Sequence, residues 1–144
     1  MKTVLFLVAV LVVLVVSCTK QNSTPVEMLN EMLPPDSTGT DNLKFAGNFS
    51  NGPFGSATGT AKVYLQNNQY LLALTDIAVS NGPDLHVYLS RELQPIHFID
   101  LGKLKSTKGN QLYEITGSPD FLQYSFALIH CQQYNHLFGS AALK

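Results

Sequence analysis

Chemistry in this chain would have to come from one thiol, four imidazoles and a few carboxylates. Cys131 sits in the stretch ALIHCQQY, with His130 just before it and His136 five residues on, while His86 and His97 lie upstream. The only other cysteine is Cys18. If Cys18 is occupied elsewhere, Cys131 has no intramolecular partner. In an exported chain such a thiol reads as an intermolecular bridge, a reactive group or a cofactor ligand. The plainer reading is that free cysteine behaves as a small buried hydrophobe.

The histidines give a weak metal signal. His130 and Cys131 are neighbours on a strand, so their side chains point to opposite faces. Cys131 and His136 could share a face across a strand end, and His86 could join them as a cofactor ligand from another strand. A metal centre wants three or four ligands, and no CxxC, HxH or HExxH spacing occurs, so no zinc site is expected. Asp76, Asp84, Asp100 and Asp120 fall at strand ends or turns, where carboxylates accept hydrogen bonds from turn amides. No GxSxG elbow, phosphate loop or close carboxylate pair is present. The chain is not expected to be an enzyme.

The N-terminus, MKTVLFLVAVLVVLVVSC, has a basic Lys2 and an unbroken apolar run from Val4 to Val16. That run is shorter than a bilayer-spanning helix and has the length of a signal-peptide core. Val15-Val16-Ser17-Cys18 resembles the lipobox of bacterial lipoproteins, in which the leader is cut before the cysteine and the cysteine carries lipid. The alternatives are an ordinary cleaved leader or an uncleaved anchor with Cys18 incidental. Acyl chains on Cys18 would hold the protein at a membrane of the cell envelope. The absence of an acidic residue directly after Cys18 points to the outer membrane. The chain has 9 Lys and Arg, one of them in the leader, against 10 Asp and Glu. With no basic run, nucleic acid is not an expected partner.

Residues 1–17 thus read as leader and 18–42 as the lipidated cysteine and a flexible tether rich in Ser, Thr, Asn and Pro. Within the tether, VEMLNEML (26–33) could form a helical turn with Val26, Leu29 and Leu33 on one side, stopped by Pro34-Pro35. Residues 43–144 are enough for one compact domain with one core. Its hydrophobic period is two: Ala57, Gly59, Ala61, Val63 and Leu65 alternate with polar neighbours, as do Leu85, Val87 and Leu89. Further strands are expected over 44–49, 70–77, 97–101, 111–116, 124–131 and 138–143, separated by turns such as Asn67-Asn68 and Asn81-Gly82-Pro83-Asp84. Seven or eight short strands predict an all-β fold, a single antiparallel sandwich or small barrel. Alternation sets Cys131 with Ala127 and Ile129, and Tyr124, Phe126, Leu128 and His130 on the opposite face. If Tyr64, Tyr70 and Tyr88 shared a face, they would offer an aromatic contact patch for a non-catalytic binding or adhesion module with Cys131 in the core.

Several segments together carry a family resemblance. GPDLHVYLS (82–90), LGKLKSTKGNQLYEI (101–115) and YSFALIHCQQYNHLFGSAAL (124–143), preceded by FAGNFSNGPFGSATGTAKVYL (45–65), resemble the DM-thirteen domain, a small extracytoplasmic module. The resemblance spans the whole of 43–144. It places Cys131 at the family's strand cysteine near the C-terminus, followed by Tyr134, Phe138-Gly139 and Ala141. His130 stands where an aromatic residue is usual. The resemblance implies a redox or electron-transfer role through Cys131, with a separate redox partner protein. It also implies that the thiol could act as such or as a ligand to haem or a metal.

Overall fold

The computed structural model describes residues 23–34 and 42–144; the segment expected as leader, Cys18 and residues 35–41 lie outside it. Among the described residues there is no helix, and none long and apolar enough to cross a membrane. Nine strands form: β1 (Leu29–Asn30), β2 (Leu43–Asn51), β3 (Ala57–Gln66), β4 (Gln69–Val79), β5 (Leu85–Ser90), β6 (Phe98–Lys103), β7 (Lys108–Ile115), β8 (Phe126–Cys131) and β9 (His136–Ala142). They belong to one curled sheet, a half-barrel, in the order β1-β7-β4-β3-β2-β9-β8-β5-β6.

The sheet turns its corner at β2, whose first part pairs antiparallel with β3 and whose last residues, Phe49 to Asn51, pair with β9. A row of bulges helps it curl. The register slips between Thr58 and Thr60 on β3 and between Leu74 and Ile77 on β4. Gly59 sits in that slip at φ 103°, and a Cβ there would lie 2.7 Å from the Thr75 carbonyl oxygen. Extra residues on one strand of a pair bend it and increase its twist.

Curling brings the inner rows of the two halves together. One half supplies Ala61, Val63, Leu72, Leu74, Ile77 and Ile115; the other supplies Leu85, Val87, Leu89, Ala127, Ile129, Phe138 and Ala141, all in one apolar core. The period-two expectation therefore holds strand by strand, with a half-barrel in the sandwich-or-barrel class. The additional ninth strand comes from the segment expected as tether. Residues 23–34 form an extended arm, and β1 pairs parallel with β7 through Leu29 opposite Gly109 and Asn30 opposite Asn110. This short parallel pair makes the sheet mixed.

The arm corrects the helical turn expected over 26–33. Backbone bonds to the domain replace bonds within a helix: Thr107 N–H donates to the Pro25 carbonyl at 2.8 Å, and Glu31 N–H to that of Asn110 at 3.0 Å. The Ser106 hydroxyl donates to the carbonyls of Pro25 and Glu27. Leu33 then packs on Tyr64, Leu71, Ala73 and Leu112, an apolar strip on the outer face of the first half. Tertiary burial outweighs the weak helical preference of an eight-residue stretch, which is too short to hold a helix in water.

Candidate functional site

Cys131 ends β8. It faces inward with Ala127 and Ile129, as alternation predicts, and is 1% exposed among the core side chains. Leu85 on β5 and His136 on β9 are its register partners on either side. Just beyond it the chain enters the turn 132–135, whose residues are exposed. The turn is pinned by Gln132 N–H donating to the Asp84 carbonyl at 3.0 Å, and Asn135 takes a left-handed φ of 55°. At the rim, the His136 ring lies parallel to the exposed Phe54 ring at a centroid distance of 3.7 Å, with Tyr134 at 6.0 Å.

The ligand set considered for Cys131 is divided by this arrangement. His136 is beside the thiol in register, but His86 is on the other side of the sheet, opposite His130. There Nδ1 of His86 donates to both carboxylate oxygens of Asp100 at 2.9 and 3.0 Å. Its Nε2 stands 3.5 Å from Oδ1 of Asp84 without a hydrogen bond, and that carboxylate is held by Lys103 Nζ at 3.1 Å. Asp84 is thus an ion-pair partner where turn capping is expected. Asp120 does cap its turn, accepting from Leu122 N–H at 3.0 Å, and Asp100 accepts from Gly102 N–H at 2.8 Å. His97 is exposed and donates to Glu92 at 2.8 Å.

The outer face of β5 and β8 is aromatic and closed. Tyr88 stacks between Phe98, at 4.4 Å, and His130, at 5.3 Å. Burial, reinforced by the nearby Asp100 carboxylate, pushes the Tyr88 hydroxyl up to about 12. His130 is 2% exposed and neither ring nitrogen has a hydrogen-bond partner. Burial, with smaller contributions from His136 and His86, holds its pKa below the ordinary 6.5. A neutral ring is thereby favoured. In the sequence His130 shares a row with Phe126 and Leu128, which marks that face as apolar but gives no sign that the ring nitrogens would go without partners. The expected tyrosine patch does not form: Tyr64 is buried under the arm, Tyr88 is buried on the other half, and Tyr70 stacks on Phe121 beside the core.

The residues around Cys131 do not fit haem or a metal ion. The sulfur is enclosed by packed aliphatic and aromatic side chains, leaving no space for a macrocycle, and His136 is the single donor in register with it. Among the described residues no group of three or more His, Cys, Asp or Glu could hold a metal ion.

A half-barrel β domain with a closed-off thiol at the end of its penultimate strand is the class that fold and site define. The family described as Electron transfer DM13 matches residues 48–143, and the chain belongs to it. No curated protein and no solved structure matches the chain. The match begins within β2, so the arm precedes the family domain.

Proposed function

We propose that the protein is an electron-transfer module held at the cell envelope by lipid on Cys18, with Cys131 as its redox residue and a separate disulfide-bearing protein as its partner. The observation that carries this reading is the place of the thiol. It is buried, yet it is the last residue of β8, beside an exposed turn and opposite His136. Fraying of the β8–β9 hairpin end would uncover the sulfur without opening the core, since strand ends are the cheapest places to open. His136 then takes the thiol proton. The thiolate attacks the partner's disulfide: a bond from Sγ to one partner sulfur forms, the partner's S–S bond breaks, and the leaving thiolate receives the proton. The Cys131 sulfur is oxidised and the leaving sulfur reduced. A thiolate of a second partner protein would then attack the mixed disulfide, releasing Cys131 as thiolate and forming the new bond elsewhere, so that the module acts as a carrier.

The test is thiol labelling of the folded protein across pH 6 to 8, set beside its global unfolding rate. Labelling faster than unfolding, rising with pH and slowed roughly tenfold in His136→Asn, supports the reading. Labelling only at the unfolding rate sinks it. The 1% exposure of Cys131 favours a second reading in that event, a binding or adhesion module with Cys131 as core. Recovery of an envelope partner would then survive Cys131→Ser.

The anchor rests on the order of apolar run, small residue and cysteine before position 19. Mass spectrometry of the N-terminal peptide would find acylated Cys18, and a free thiol there would refute the anchor.

A further inference from the structure

The arm has two faces. Its odd-numbered side chains Leu29, Glu31 and Leu33 turn to the domain and are partly buried. Over 28–33 the even-numbered ones face out, with Met28 69% and Met32 93% exposed, and Val26 before them is 51% exposed; the arm's two ends, Thr24 and Pro34, are buried. Asn30 is exposed between the two methionines. A row of large apolar side chains facing out from an extended segment is what binding surfaces present. The inner face is already satisfied: Glu31 accepts from Lys105 Nζ at 2.8 Å and from Leu112 N–H at 2.7 Å. The arm is therefore clamped to the domain with its apolar row fixed outward.

We infer that this row is a membrane-contact face that seats the domain on the bilayer by its β1–β7 edge. The inference rests on the lipid-anchor reading of Cys18. Val26 follows Cys18 by 8 positions, a reach of at most about 29 Å for an extended chain. Acyl chains on Cys18 therefore keep the row within one short chain length of the lipid at all times. That tether converts a contact too weak to hold by itself into an intramolecular one. Unbranched, flexible methionine adapts to irregular apolar surroundings. No basic cluster accompanies the row, and Glu27 lies next to it. The surface it fits is accordingly an uncharged, zwitterionic one, entered by apolar burial rather than by headgroup charge.

The chain contains no tryptophan, so an introduced indole reports alone. The lipidated protein carrying Met32→Trp is reconstituted in phosphatidylcholine vesicles with brominated acyl chains, beside a Leu122→Trp protein whose site is 86% exposed outside the arm. Quenching at position 32 about fivefold or more above that at 122, and falling in the Met28→Asn background, is the expected result. Vesicle-bound protein with equal, weak quenching at both positions overturns the contact while leaving the anchor standing. Protein that neither floats with vesicles nor shows quenching overturns both. Weak quenching with a Met32-dependent dimer in light scattering also overturns it, because the row would then serve a second copy of the chain.

Discussion

The two halves of the sheet share one core but finish their outer faces in opposite ways. Over β3, β4 and β7 the outer strip of Tyr64, Leu71, Ala73 and Leu112 is covered by Leu33 from the arm. Over β5 and β8 the strands cover themselves, with Tyr88 stacked between Phe98 and His130. The first face is closed by a segment brought from outside the family domain and held by polar clamps. The second is closed by aromatic stacking at the cost of a buried imidazole whose nitrogens find no partner. Alternation requires an inner and an outer row on each strand, but says nothing about what lies over the outer one.

The contrast should vanish for the inner rows. Leu72→Ala in one half and Ile129→Ala in the other each empty a fully buried site, and each is expected to cost about 2–5 kcal/mol in chemical unfolding. A large difference between them would mean that the halves are not one core.

The outer faces should then part company. Gly109 has φ 101°, and a Cβ there would lie 1.9 Å from the Leu29 carbonyl oxygen. Gly109→Ala is expected to release the arm and cost about 2–3 kcal/mol. Hydrogen exchange should show loss of protection at Glu31 and Thr107, with β8 unaffected. On the other face, His130→Phe removes an unsatisfied polar group while keeping a ring to stack on Tyr88. A gain of about 1–2 kcal/mol is expected, since an unpaired buried polar atom costs about that much. A loss would show that the imidazole has a partner in solution.

The pH dependence follows from the same residue. The fold disfavours protonated His130, so below the ordinary 6.5 the unfolded chain binds more protons than the folded one. Stability should fall as pH drops from 6.5 toward the depressed folded value, with no contribution above it. Midpoints measured at pH 7.5 and 5.5 should lie closer together in His130→Phe than in the parent. The smallest effect belongs to the arm clamp. Burial raises the Glu31 carboxyl, but bonds from Lys105 and Leu112 N–H outweigh it and leave the group below its usual range. Because the pair is largely solvated, Glu31→Gln should cost under about 1 kcal/mol, and less in high salt.

Much of the fold was legible because an all-β domain writes its inner row directly into the chain. Val63 and Ala61, Val87 and Leu85, and Ile129 and Cys131 lie inward as their spacing requires. Turn residues marked several connections, and Asn67, Asn68 and Asp84 do adopt left-handed backbone there, although Lys108-Gly109-Asn110 opens β7 rather than a turn. The arm was not legible. VEMLNEML fits a helical stripe and an alternating strand equally well, and only the vacant edge of β7 favours the second. Half the candidate ligand set fared likewise: adjacency on a hairpin keeps His136 beside Cys131, whereas His86 is placed by a pairing 44 residues away in sequence.

The chain alone therefore determined the all-β class, the family and the face that Cys131 shares with Ala127 and Ile129, because each is written in local spacing or short-range order. Tertiary structure decided that β2 would turn the sheet, that the arm would close one half, and that His86 and Cys131 would stand on opposite faces. Those outcomes depend on which strand edges meet, and edge pairing is settled by the shape of the whole sheet rather than by any one segment.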